Sequence, residues 1–360
     1  MKLVSNIIIL LIILATTKVS LSCSNFQLIS TDNTVVIARS MDYWLNLNSH
    51  VVIVPRNTFY QSKAPIIPNG YSWQTIYGFV AIQPIGVETL DHIVIDGINE
   101  KGLSFGILAM DSKYPKVLPT ESKMALEIGL VGAWVLGSFS TVDEVQSNLN
   151  NVIIWSPEYL PFNNKLELHI VVHDANGKSL VIEFVNGETF VYDNKLGILT
   201  NDPIFPQQLN YLSEYNLQNN ILSCVLQDNR GADCNINING FDIVSPSVSR
   251  FIKIATILSL IQKPANPIDT INTAFHILNT IDIPIGVSVT NKLGLNHNHY
   301  TQWTTVKDLT NKIFYWRSYN DLTNKKIELN KLSFDSTSLT IGIPVDPESQ
   351  IIIDKTSHFE

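Results

Sequence analysis

The sequence predicts an α+β fold in which two antiparallel sheets pack face to face and helices cover their outer faces. Three observations lead there. β-rich runs and helical patterns come in blocks, strands then helices, twice over and closing on strands, an order that suits stacked antiparallel sheets with outer helices. Asn176-Gly177 and Asn186-Gly187 separate neighbouring β runs, and Asn-Gly supplies the positive φ angles of tight hairpins. Hydrophobic residues make up 45% of the 360 residues and charged ones only 16%, so the chain can fill a large core and is not disordered.

Lys2 precedes an unbroken apolar run from Ile7 to Ala15. A spanning helix needs about 20 apolar residues, so this shorter run reads as a signal-peptide core. Ser20-Leu21-Ser22 places small residues three and one positions before Cys23, the pattern a signal peptidase accepts. Residues 1–22 are therefore read as a leader, and 23–360 as one domain, because no Gly/Ser/Pro-rich linker, repeat or low-complexity tract divides them. No second apolar run approaches spanning length, so no membrane span is expected. The leader implies the secretory route, to the extracellular space or a lysosomal lumen.

After Cys23, the runs Phe26–Ile29 and Val35–Ala38 flank Ser30-Thr31-Asp32-Asn33, a turn composition, and predict a β-ribbon. Val51–Val54, Phe79–Gln83, Ile93–Ile95 and Leu103–Leu108 read as further strands. Glu121–Leu136 and Thr141–Leu149 lack proline and read as helices, the second opening on the capping box Thr141-Val142-Asp143-Glu144. Strands resume at His169–His173, Leu180–Val185, Phe190–Tyr192 and Ile198–Thr200. Helical patterns cover Gln207–Leu217, Ser247–Ile261 and Pro267–Ile281. Thr301–Val306, Ile313–Arg317 and Ile327–Leu329 complete the strands.

Charge excludes one large class of function. Lys plus Arg number 24 against 32 Asp plus Glu, for a net charge of −8. Nucleic-acid grooves draw their affinity from clustered Lys and Arg, so no nucleic-acid partner is expected. Losing Lys2 and Lys18 with the leader makes the mature chain more negative still.

Cysteine usage points to the front of the chain. Cys224 and Cys234 lie close together in a polar stretch, and an oxidising compartment could join them as a disulfide or leave both reduced. Cys23 is the thiol left over. Cleavage before it exposes a thiol and an α-amine on one residue, and an amine of pKa about 7.7–8 suits a base near neutrality. Lipid anchoring at Cys23 is the competing reading, but a lipoprotein signal needs an aliphatic residue where Ser20 stands.

Just past the second strand, Arg39-Ser40-Met41-Asp42 makes the sequence specific. A terminal cysteine followed by a hairpin ending in Arg-x-x-Asp resembles the choloylglycine hydrolase and penicillin V acylase family of N-terminal nucleophile hydrolases. Three further segments keep the family's order: Asp96-Gly97-Ile98-Asn99-Glu100-Lys101-Gly102-Leu103, Gly197-Ile198-Leu199-Thr200-Asn201-Asp202-Pro203-Ile204-Phe205, and Ser245-Pro246-Ser247-Val248-Ser249-Arg250-Phe251. The last carries two extra residues before its arginine.

The resemblance implies a four-layer αββα sandwich and a hydrolase of linear, non-peptide amide bonds acting without a cofactor or metal on a small-molecule substrate. It implies that Cys23 attacks the amide carbonyl to form a thioester, that Arg39 and Arg250 favour the thiolate, that Asp42 holds the α-amine, and that Asn201 and the Ala109 N–H receive the oxyanion. Ala109 departs from the family, where bile-salt hydrolases carry asparagine and penicillin acylases tyrosine; the N–H is retained and the side chain tied to substrate choice is lost. Tyr43, Trp44, Phe79, Met110 and Tyr114 flank the matched segments and are candidates for an apolar acyl pocket. Homo-oligomers are expected by family analogy alone. Alternatives are a lipid amidase acting on N-acylethanolamines or ceramide-like amides, and a catalytically silent secreted binding protein with the same fold.

Other candidates are weak. His169 and His173 are separated by Ile170-Val171-Val172 and read as strand residues rather than a helical zinc pair. His297 and His299 read as solvated residues of a polar loop. No Asn-x-Ser/Thr acceptor, phosphate loop or zinc-spaced cysteine pair occurs.

Overall fold

The structure, a computed structural model, describes residues 23–86, 90, 92–159, 164–219, 246–292, 295–335 and 342–347. From Cys23 the chain enters a ribbon of β1 (Ser24–Ile29) and β2 (Val35–Tyr43). The turn between them puts Asn33 at φ 65°, a left-handed conformation that asparagine tolerates better than most residues. Strands β3 (Ser49–Val54), β4 (Phe79–Pro84), β5 (Asp96–Asn99) and β6 (Ser104–Ala109) follow. Helices α1 (Val131–Ser138) and α2 (Val142–Asn148) come next. Then β7 (Leu168–His173), β8 (Ser179–Val185), β9 (Glu188–Asp193) and β10 (Ile198–Thr200) lead into α3 (Phe205–Asn219), α4 (Pro246–Leu260) and α5 (Pro267–Asn279). The last strands are β11 (Ser288–Lys292), β12 (Leu295–Asp308), β13 (Ile313–Ser318), β14 (Lys325–Glu328) and β15 (Ile343–Pro344).

These strands form two large antiparallel sheets. The first runs β10-β1-β2-β12-β13-β14, with β11 added on β12, and the second runs β9-β8-β7-β6-β5-β4-β3-β15. Helices α4 and α5 pack on β10, β1, β2 and β12, while α1 and α2 pack on β5, β6 and β8. The α+β arrangement of two sheets between helices is thus present. From Val35 to Asp42 every residue of β2 is buried, because one face meets the second sheet and the other meets the helices. Helix α1 approaches its sheet closely, since a Cβ on Gly132 would come within 2.6 Å of Phe105 and Val94. Among the described residues no helix is long and apolar enough to cross a membrane.

Several expectations are corrected. Glu121–Leu136 is not one helix: a 3₁₀ turn at Pro119–Met124 passes into a short strand, Ala125–Glu127, before α1 begins. That strand pairs in parallel with Ile153–Trp155, and its backbone also serves Tyr71 N–H and Ser62 Oγ. Tertiary hydrogen bonds outweigh helix propensity there. The Ile93–Ile95 run precedes the regular strand, which starts at Asp96; the Ile95 carbonyl instead receives the Ile107 N–H and the Arg39 guanidinium. Thr141 caps α2 by accepting from Glu144 N–H at 3.2 Å, but the Glu144 carboxylate closes on Ser140 N–H at 2.7 Å, one residue early for a capping box. The last predicted strand, Ile327–Leu329, shifts to Lys325–Glu328. His297 and His299 are not in a loop but in the long strand β12, with His299 buried and bonded to Thr290 Oγ1 at 3.0 Å. His169 and His173 do lie on a strand, both fully buried.

Candidate active site

Strand alternation sets the site. Successive side chains of β2 point to opposite faces, and the β1–β2 register puts Asn25 opposite Arg39 and Ser24 opposite Ser40. Arg39 and Met41 therefore look between the sheets, and Ser40 and Asp42 look toward the helices. Cys23, one residue ahead of β1, joins the first group. Its Sγ lies 3.7 Å from Met41 Sδ and 3.8 Å from the Asp42 carbonyl oxygen, and the residue is 4% exposed.

Arg39 is wholly buried and ties the two sheets together. Its guanidinium donates to the Ile95 and Ile107 carbonyls, lies 3.8 Å from Met41 Sδ and stacks 5.4 Å over the Trp303 ring. Asp96 Oδ1 is 3.7 Å from Arg39 Nη1 and also accepts from Lys307 Nζ, while Thr305 Oγ1 donates to Asp96 Oδ2 at 2.7 Å. One carboxylate thus faces two buried cations, of which Arg39 is the one that reaches the Met41 sulfur and acts on Cys23. Gly106 keeps this space open, for a Cβ there would fall 3.3 Å from Arg39 Nη1 and 3.4 Å from Asp96 Oδ1.

On the helix side, Asp42 accepts from Thr301 Oγ1 at 2.5 Å and from Ser40 Oγ at 3.0 Å. Arg250, on the first turns of α4, donates from Nε to Ser24 Oγ at 3.1 Å, and from Nη2 to the Cys23 carbonyl at 3.3 Å and Asn201 Oδ1 at 3.2 Å. Asn201 follows β10, the strand that pairs β1 through Ser24↔Thr200. Its Nδ2 donates to the Ala109 carbonyl at 2.7 Å, which leaves a second amide hydrogen to spend. In an antiparallel strand the N–H and C=O of one residue leave along the same edge, so the Ala109 N–H points to the side that Asn201 occupies.

Burial and charge oppose one another here. Burial pushes the Cys23 thiol up from its ordinary value, Arg39 and Arg250 pull it down, and Asp42 adds to the rise. Burial pushes Asp42 up to about 6, against Arg250 and the Thr301 and Ser40 hydrogen bonds. Burial lowers Arg250, with Asp42 and Cys23 restoring part of the loss. Lys307 is likewise lowered by burial and supported by Asp96. His173 is pushed down to about 3 by burial and by Lys307, so it stays neutral beside Asn25 and Gln27.

The structure thus brings Cys23, Arg39, Asp42, Ala109, Asn201 and Arg250 together. The pocket candidates divide. Tyr43 and Trp44 stand half-buried at the end of β2, ring centroids 5.9 Å apart, with His297 4.3 Å from Trp44 and His299 6.5 Å from Tyr43. Met110 is buried next to Ala109. Tyr114 spends its hydroxyl on the Leu166 carbonyl at 2.6 Å and its ring on Phe184. Phe79 is fully buried opposite Asn99, at the far end of the sheet from Ala109, and belongs to the core. Cys224 and Cys234 lie outside the described residues. Sequence reading passed over Asp96, Lys307, Thr301 and Gln208; Asp96 alone had a signal, as the first residue of a matched segment. Among the described residues no group of three or more His, Cys, Asp or Glu could hold a metal ion.

Residues 23–342 match the family model described as linear amide C–N hydrolases, choloylglycine hydrolase family. The chain is 30% identical over 323 residues to the bile salt hydrolase/transferase of Lactiplantibacillus plantarum, covering 87% of this chain and 94% of that one. It is 26% identical over 325 residues to the penicillin V acylase of Pectobacterium atrosepticum, covering 88% and 83%. Among solved structures, a conjugated bile acid hydrolase from Clostridium perfringens superposes with a TM-score of 0.74 at 23% identity, over 92% of this chain and all of that one.

Proposed function

This chain belongs to the choloylglycine hydrolase family of linear amide C–N hydrolases, and from that premise we propose that it hydrolyses an N-acylated small molecule through a thioester on Cys23. Its α+β sandwich is the N-terminal nucleophile hydrolase fold, and its reaction class is amidohydrolysis. Removal of residues 1–22 on the secretory route would free the Cys23 amine. The observation that carries the reading is the convergence of Cys23 Sγ, two buried guanidinium groups and the Asn201 amide on one end of the β1–β2 ribbon.

In this scheme the Cys23 thiol gives its proton to its own α-amine, and Sγ bonds to the amide carbonyl carbon as the carbonyl electrons move to oxygen. The second Asn201 amide hydrogen and the Ala109 N–H receive that oxyanion. Collapse breaks the C–N bond, and the α-ammonium returns the proton to the leaving amine. Water then attacks the thioester, with the same amine taking its proton, and releases the carboxylic acid and the thiol. Asp42 orients the amine. Burial keeps the thiol raised on balance, and Arg39 and Arg250 take back part of that cost to the thiolate. Tyr43 and Trp44 would contact the apolar acyl group, and the small Ala109 side chain leaves its acyl preference to them.

The test uses protein whose first residue is verified as Cys23 by mass spectrometry. It is offered glycine and taurine conjugates, phenoxyacetyl amides, acyl-homoserine lactones and fatty-acyl amides. Release of free acid from at least one class supports the reading. No turnover across the panel, with a Cys23 that alkylates normally, removes it.

A further inference from the structure

Gln208 lies on the first turn of α3 and is fully buried. Its carboxamide is saturated by one short stretch of chain. Nε2 donates to the Asn201 carbonyl at 2.6 Å and the Pro203 carbonyl at 2.8 Å. Oε1 faces Thr200 Oγ1 at 3.0 Å and Thr200 N–H at 3.3 Å. A carboxamide offers two donors and two acceptor sites, and all four are spent on residues 200–203.

The grip extends to the neighbouring helix. Ser247 Oγ donates to Thr200 Oγ1 at 3.0 Å, and Thr200 Oγ1 lies 3.2 Å from the Ser247 carbonyl. Ser247 stands on α4 one turn before Arg250, whose Nη2 meets Asn201 Oδ1. Gln208 therefore fixes the backbone that carries Asn201, and through Thr200 it couples that backbone to the helix that aims the Asn201 side chain.

We propose that Gln208 is a positioning residue that holds the Asn201 amide where an oxyanion would form, an inference that rests on the amidase reading above. Loss of its contacts frees the turn at residues 200–203 to relax. A displacement near 1 Å of a catalytic group costs about a hundredfold in rate. The effect should fall on the chemical step and leave substrate binding alone, because Gln208 is buried behind Asn201.

The experiment uses mature protein and any amide that the wild type turns over. Gln208→Leu removes all four contacts at similar volume, and Gln208→Glu, isosteric, replaces the two amide donors that hold the Asn201 and Pro203 carbonyls with a carboxyl carrying at most one O–H. The expected result is a kcat lower by about ten- to a hundredfold, with KM within about twofold. Cys23 alkylation by iodoacetamide should be unchanged. In an Asn201→Ala background, Gln208→Leu should add little, since both changes act on one interaction. If Gln208→Leu does not fold, Gln208→Glu carries the same comparisons. A kcat equal to wild type in the folded variants, or a full additional loss on top of Asn201→Ala, overturns the proposal. A wild type inactive on every amide defeats the amidase reading and takes this inference with it.

Discussion

The Thr301 hydroxyl donates to Asp42 Oδ1 at 2.5 Å while its oxygen accepts from the Ile283 N–H at 2.9 Å. A residue 259 positions downstream thereby contributes to how readily the carboxylate beside Cys23 ionises. Burial disfavours the charged form, Arg250 and then the Thr301 and Ser40 hydroxyls favour it, and the balance stands at about 6.

The first prediction is an acid limb in the pH–rate profile, with activity rising as Asp42 loses its proton at a pH below the value of about 6 that it holds while the Cys23 nitrogen is still in a peptide bond, because the freed α-ammonium favours the carboxylate. Thr301→Val removes a hydrogen bond to a charged group, worth about 1.5–3 kcal/mol, and should move that limb upward by about one pH unit or more. Profiles of kcat/KM for the two proteins check this, and coincident limbs would remove Thr301 from the account.

Asp42 also links stability to pH. Its folded value of about 6 lies above the ordinary 3.8, so the native state binds the proton more tightly. The contribution is fully present below about pH 4 and is lost as pH rises through about 6, up to about 3 kcal/mol. Urea midpoints between pH 4 and 7 should fall more steeply for wild type than for Asp42→Asn.

Asn201→Ala deletes one oxyanion donor and should lower kcat about a hundred- to a thousandfold. Circular dichroism should remain that of the wild type. A KM effect with kcat intact would place Asn201 in binding instead.

Asp96→Asn leaves Arg39 and Lys307 facing each other without their shared carboxylate. Breaking a buried ion pair from one side costs about 3–5 kcal/mol. Chemical denaturation should show that loss, and Asp96→Asn with Lys307→Met should recover part of it.

Much of this site was legible because its residues sit in short ordered segments. Arg39 and Asp42 share one strand with a period of two, Asn201 precedes Asp202-Pro203, and Arg250 opens a helix, so local pattern and family order located each. Asp96, Lys307 and Thr301 escaped because their roles exist only across sheet partners: Lys307 meets Asp96 over 211 residues. Gln208 read as one more polar residue on a helix, and nothing local separates a solvated glutamine from a saturated one. The fold's block order was visible, yet Glu121–Leu136 misled because its backbone is claimed by tertiary hydrogen bonds, Glu127 N–H donating to Ser62 Oγ and the Ala125 carbonyl accepting from Tyr71 N–H. The β12 histidines misled because a 14-residue strand hid inside a stretch rich in Asn and His.

Arg250 grips the Cys23 carbonyl and the Ser24 hydroxyl at once, so the front residue cannot slide to make up for a ragged start. On the proposed chemistry, a leader cut one bond too early would carry its free amine on Ser22, a Cα step of about 3.8 Å away from where it is wanted. A cut one bond too late would discard the sulfur altogether. The yield of working enzyme in any preparation is then governed by the fidelity of the trimming peptidase, however well the chain folds.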